Sequence, residues 1–374
     1  MSKVRDSVLT RGARGTGALV CLLLALLSAG WIIRDLAIAQ HGADIWWTWL
    51  GEARRPREFT AWATSALDPL LVLGALGTAI AALRTAVAPA VAAGALLSVA
   101  AATVLLRTPL VWILGAGWLQ GLDADLTRWA RLTALAQLTL ALVLIVVVAA
   151  GRRPGGRTGR HTGRFAHGLP EGASSAYGVV HAAAYGADPG PPGRPHKGPA
   201  RTAAFLLGTA GLAVAGWEIH RRVRLGAEGY RKGLLGDASV FRALLQPPAH
   251  WQSAALALLA LGAAAAALRR ASWVRPAAMT AAALLCVHGA LALALAVRTG
   301  EFGRLAGLPA GAQLELGIAA GVATAGLAAL IAAARPGVPG PSASADEVRA
   351  YGSAPGEARP PHAPPPPSTL PPGW

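Results

Sequence analysis

The chain alternates between long stretches free of charge and short stretches where charges collect. A bilayer-spanning helix needs about 20 mostly apolar residues, within a range near 17–25. Six charge-free runs meet that length: 15–33, 85–106, 132–151, 243–268, 276–297 and 316–334. Two shorter runs, 69–83 and 202–217, span only if their polar ends are partly immersed. Counting both gives eight crossings and keeps the charged flanks on consistent sides, and eight is the count adopted. Leaving one or both out gives seven or six.

The first run has features of a secretory signal: Lys3, Arg5, Arg11 and Arg14 precede it, and Ala37-Ile38-Ala39 resembles a cleavage site. It is longer than a signal core, however, and Arg34 and Asp35 intervene before that site. An uncleaved first helix is expected.

Between and after the helices lie two stretches of another kind. Residues 151–201 are rich in Gly, Arg, Pro and His, and the tail from 336 to 374 carries a run of four prolines at 364–367. Such segments bury too little apolar area to offset their ordering entropy, so both are expected to be disordered and cytoplasmic. The proline run favours extended polyproline geometry.

The two helical blocks look alike. Each opens with a helix containing Ala-Gly-Trp, at 29–31 and 215–217, followed by an outer loop expected to be about thirty residues long. In the second helices Ala75-Leu76-Gly77 through Arg84 matches Ala260-Leu261-Gly262 through Arg269. Four helices per block is an even number, so both blocks enter the membrane from one side, as a parallel repeat. The expected fold is therefore all-α: a polytopic membrane helix bundle of about eight transmembrane helices in two tandem four-helix repeats. Residues 1–150 form the first repeat and 202–335 the second. In the fourth helices an offset of 183, set by Arg152 and Arg335, is preferred to the alternative Ala-Gln-Leu match. Gly317 and Gly321 form a GxxxG pattern that suggests a close helix contact.

Composition agrees with the pattern. The chain is 54% hydrophobic and only 14% charged, with a mean hydropathy of +0.45. Soluble domains carry about 25% charged residues, so this chain lacks the charge to cover a water-facing surface. Its net charge of +16 does not indicate nucleic acid, because the basic residues flank apolar runs instead of forming a patch interleaved with aromatics. Nearly all of that charge is arginine, with Lys3, Lys197 and Lys232 the only lysines. With the excess of Ala, Gly and Pro, this resembles uncharacterised multi-pass integral membrane proteins of high-GC actinobacteria. That likeness is compositional and carries no functional residue.

Charge placement also sets orientation. With the N-terminus inside, the inner segments hold more than half of the 34 Lys and Arg but only a third of the 18 Asp and Glu. A cytoplasmic-membrane protein with both termini cytoplasmic is expected.

Polar residues at membrane depth are the best pointers to function, and few are visible. Asp68, before Pro69, is read as the N-cap of the second helix, with ion or proton binding as the alternative. Glu315 is read as a first-turn acid of the eighth helix. His288 is the most deeply placed ionisable group, taken as a neutral packing histidine with a proton relay as the alternative. Gln137 can hydrogen-bond across helices. Trp46, Trp47 and Trp49 suggest an interfacial helix near 44–51, and an aromatic platform for carbohydrate or lipid is the sharper alternative. Arg221, Arg222, Arg224, Arg231 and Lys232 suit anionic lipid head groups or a solvated face.

Cys21 and Cys286 stand alone within apolar runs, and no phosphate loop, HExxH, GxSxG or paired-cysteine motif occurs. No catalytic, cofactor or metal residue is assigned. The expected function is non-enzymatic: an envelope scaffold or accessory subunit, with the lipid bilayer as partner. The alternative is a small-solute transporter or channel built from the two repeats.

Overall fold

In the computed structural model, residues 7–52, 60–84, 87–154, 197–271 and 273–335 are described. Most of the 151–201 stretch and the whole tail from 336, both expected to be disordered, lie outside them.

The first half contains α1 (Arg11–Ile38), α2 (Gly42–Leu50), α3 (Leu67–Leu83), α4 (Pro89–Arg107), α5 (Leu110–Ile113) and α6 (Ala124–Ala150). The second half contains α7 (Lys197–Leu235), α8 (Ala249–Leu268), α9 (Val274–Arg298) and α10 (Ala310–Ala334). Two three-residue strands, β1 (Ser7–Leu9) and β2 (Arg152–Pro154), pair antiparallel where α1 begins and α6 ends. The fold is an all-α membrane helix bundle.

Among the described residues, seven helices are long and apolar enough to cross a membrane: α1, α6, α7, α8, α9, α10 and the run formed by α4 and α5. The eighth, α3, has 17 residues, or about 25 Å of helix. It still runs the thickness of the bundle. At one end Arg14 of α1 donates to the carbonyl of Ala82 at 2.8 Å. At the other, Asp35 of α1 accepts from the backbone N–H groups of Ala63 and Thr64, just ahead of α3. One face of the bundle, here the near face, thus carries the start of α1 and the ends of α6 and α10. The far face carries α2 and the segments 60–66, 108–123, 236–248 and 299–309.

Each half closes as a ring. In the first, α1 packs on α3, α3 on α4, α4 on α6, and α6 back on α1. In the second, α7 packs on α8, α8 on α9, α9 on α10, and α10 back on α7. Between the rings, α4 meets α9 and α8, while α9 also touches α3.

Helix faces explain this packing. Large side chains such as Leu26, Ile33, Leu73, Phe205 and Leu268 point outward, each about two-thirds exposed. The interior is mostly alanine with some leucine. In lipid, exposure of leucine costs nothing, so small residues that allow close approach decide which faces meet. Gly94 of α4 lies against the backbone of Trp273, Gly289 of α9 against α10, and Gly326 of α10 against Cys286 of α9. A Cβ at Gly326 would stand 2.6 Å from the Cys286 nitrogen.

The expected contact at Gly317 and Gly321 is not made. Both glycines are exposed, and nothing lies within 4 Å of the Cβ either would carry. The close contact of α10 belongs instead to Gly326, which lies on the opposite side of the helix. The second expected outer loop is also corrected, because α7 continues past Trp217 to Leu235. Its polar extension is helical in its own right, with Glu218–Arg221 and Glu228–Lys232 pairs at helical spacing. A kink at Gly226 (φ 71, ψ 174) turns it, a backbone geometry that glycine adopts without the Cβ clash. The apolar run ends at the first charge; the helix does not.

Candidate functional site

The far face is tied together by two buried carboxylates. Asp35, fully buried in the last turns of α1, accepts from Ala63 N, Thr64 N and Thr64 Oγ1, the last two at 2.7 Å. Arg34 adds a salt bridge at 2.8 Å. The carboxylate thereby fixes the extended segment leading into α3, whose Trp62 and Ala63 carbonyls then accept from Leu244 N and Leu245 N of the second half at 2.9 and 2.8 Å.

Asp68 stands in the first turn of α3, but the N-cap is Ala66. Its Oδ2 reaches back to Ser65 N at 2.8 Å, while Oδ1 is salt-bridged to Arg107 at the end of α4, with both side chains fully buried. Arg107 also donates to the Leu245 carbonyl. The expected capping role is therefore corrected: Asp68 is half of a buried ion pair joining α3, α4 and the second half. Arg107 itself was invisible in the sequence, where it reads as the first charge beyond an apolar run. Gln137 sits in the first ring and donates to Ser28 Oγ at 2.9 Å across α6 and α1.

The second ring opens at the far face into a cavity of about 770 Å³. All four of its helices line it: Trp217, Glu218 and Arg221 from α7; Gln252 and Ser253 from α8; His288 and Gly289 from α9; Glu315 and Val322 from α10. The end of α2 and the 236–249 segment form its rim, with Trp49, Glu52, Asp237 and Arg242. Toward the near face it stops where Gly326 packs against Cys286.

Polar side chains converge in this chamber. Arg221 lies between two carboxylates, Glu218 at 3.3 Å and Glu315. The other Glu218 oxygen stands 2.9 Å from His250 Nδ1 but is not aligned with it as a hydrogen bond. Tyr230 from beyond the kink stacks on the His250 ring with centroids 4.6 Å apart. His288 places Nδ1 3.4 Å from Gln252 Nε2. The indole N–H of Trp217 is buried with no hydrogen-bond partner, and Ser253 is 4% exposed with its hydroxyl unengaged by the protein. At the rim, Ser239 donates its backbone N–H and hydroxyl to Asp237, at 3.0 and 2.7 Å. Chiefly that backbone donor holds the Asp237 carboxyl below its usual range. Glu52 is salt-bridged to Arg298 at 3.0 Å.

Of the four polar residues singled out in the sequence, the chamber brings together His288 and Glu315, while Asp68 and Gln137 lie in the first half. Glu315 is not in the first turn as expected, because α10 starts earlier, at Ala310 after Pro309. It faces the Arg221 guanidinium across the ring. Glu218, His250, Gln252 and Ser253 were not recognised, and Arg221 was read only as part of a basic run suited to anionic lipid head groups or a solvated face. Their one sequence signal is the breakdown of apolar character just after Trp217 and just before Ala254. Among the described residues no group of His, Cys, Asp and Glu is placed to hold a metal ion. No family model, curated protein or solved structure matches the chain.

Proposed function

We propose that the protein is a small-solute carrier of the plasma membrane, with both termini cytoplasmic and the chamber open to the outer face. The observation that carries this is the chamber: a water-accessible cavity, reaching into a bundle of spanning helices and lined by hydrogen-bonding groups the protein leaves unsatisfied. A cavity of this size holds a typical small organic ligand. Polar groups at such depth are costly in a membrane protein unless they serve a ligand or one another. The tight contact of α9 with α10 below it separates the cavity from the near face, which favours a carrier with alternating access over an open channel.

The duplication proposed from the sequence fits the same picture. Both rings close in one cyclic order, and Arg84 and Arg269 each cap the end of the second helix of their ring. The fourth helices end at Ala150 and Ala334, in line with the offset of 183. The contacts between rings run from third helix to third helix and from each third helix to the other ring's second, as an axis along the membrane normal requires. In this arrangement the first ring, closed and filled with Ala and Leu, is the scaffold on which the second works. This reading takes up the carrier alternative in place of the envelope scaffold or accessory subunit expected first from the sequence. No catalytic step is assigned. Exposed Arg222, Arg224 and Arg231 on the far extension of α7 suit anionic lipid head groups.

Accessibility tests the proposal. With Cys21 and Cys286 replaced, Ser253→Cys should react with a membrane-impermeant thiol reagent added outside intact cells, and not with reagent confined to the inside of vesicles of the same orientation. Labelling only from the inner side, or from neither side, would remove the outward-open chamber.

A further inference from the structure

Gln137 of α6 has half of its amide engaged and half of it open, in a part of the bundle that the chamber does not reach. We infer that the first ring binds one buried water molecule there, bridging Ser28 of α1, Thr103 of α4 and Gln137. The site is independent of the carrier assignment, since it belongs to the other half.

The open groups come from three helices. Gln137 is 1% exposed, and its Nε2 donates to Ser28 Oγ at 2.9 Å. Its Oε1 is buried and has no hydrogen-bond partner in the protein. A buried acceptor left unpaired costs at least as much as a typical hydrogen bond gains, and lipid around the bundle offers it nothing. Ser28 accepts from Gln137, while its own proton meets no acceptor among the described residues. The buried hydroxyl of Thr103 is likewise engaged by no described residue.

The space between them suits one guest. Ser28, Thr103 and Gln137 line a cavity of about 10 Å³, completed by Leu24, Leu71, Ala75 and Val99. A water needs roughly 10–15 Å³ of such room and two to four polar partners, and three partners are present. Other guests fit badly. No charged side chain lines the cavity, so an ion would stand at membrane depth without a counter-charge. An apolar guest would leave the amide unpaired. Water donates to Gln137 Oε1 and accepts from the two hydroxyls. Turning the amide over exchanges its oxygen and nitrogen, which puts a donor where the acceptor was, and water meets that arrangement equally well.

Two measurements on the full-length protein test the site. The first is an experimental density map fine enough to show ordered water elsewhere in the molecule. One peak at hydrogen-bonding distance, about 2.7–3.2 Å, from the Gln137 amide and the Thr103 hydroxyl is expected. No peak in such a map would overturn the inference. So would contacts of about 2.4 Å to every oxygen, the signature of a metal ion. The second is a melting cycle in nanodiscs with Gln137→Met and Thr103→Val, both close in shape to the parent. Thr103 and Gln137 make no direct hydrogen bond, so the coupling between them runs through the water. Each single variant should melt about 2 °C lower or more, and the double variant should melt no lower than the worse single one. In a dry cavity the Thr103 hydroxyl is a liability, so Thr103→Val would melt at the parent temperature or above it. That result, or shifts that simply add, would overturn the bridge.

Discussion

Arg107→Met isolates the buried ion pair that joins the two halves. Arg107 and Asp68 are both fully buried, so the variant leaves a carboxylate with no counter-ion and no water. Ser65 N and Oγ remain as its partners, while the Leu245 carbonyl loses its charged donor. Breaking a buried pair from one side costs about 3–5 kcal/mol. The double variant Asp68→Asn with Arg107→Met removes the stranded charge and should keep only the loss at Leu245, about 1–2 kcal/mol. Thermal unfolding followed by the fluorescence of the 12 tryptophans reads the difference. At about 2 °C per kcal/mol for a large chain, the single variant should melt about 6–10 °C lower and the double variant about 2–4 °C lower. Scans are compared at one rate, since unfolding of such proteins is commonly irreversible. A single variant within about 2 °C of the parent would refute the buried pairing. A double variant worse than the single one would refute the claim that stranded charge sets the cost.

Three further outcomes are expected. Gly326→Val should lower stability by about 1–3 kcal/mol or more, because its Cβ meets α9 backbone that cannot yield, whereas Gly321→Val should stay within about 0.5 kcal/mol; melting curves of the pair decide it. Asp35→Asn should cost about 1.5–3 kcal/mol, the scale of hydrogen bonds to a charged acceptor, measured in the same way. Reporter fusions at residues 160 and 360 should give a cytoplasmic signal and a fusion at 230 an external one; any reversal would invert the orientation.

The sequence by itself determined the helices. Bilayer thickness and the cost of unpaired backbone groups leave long apolar runs one stable form, so all eight runs are present, including the short 69–83. It did not determine where helices end, because hydropathy stops at the first charge whereas backbone hydrogen bonding does not; α7 runs on through Glu218 and Arg221 for that reason. Nor did it reveal which small residues touch: Gly317 and Gly321 carry the familiar spacing, yet Gly326 and Gly289 face backbone. The polar chemistry was decided by tertiary structure alone. Asp68 meets Arg107 across 39 positions and Arg221 meets Glu315 across 94, and each residue taken singly reads as an ordinary helix-end charge. Only the closing of the two rings turns one such set into a sealed ion pair and the other into an open chamber. The difference between them is burial: Asp68 and Arg107 are sealed from solvent, whereas Glu218, Arg221 and Glu315 line the cavity where the second ring opens.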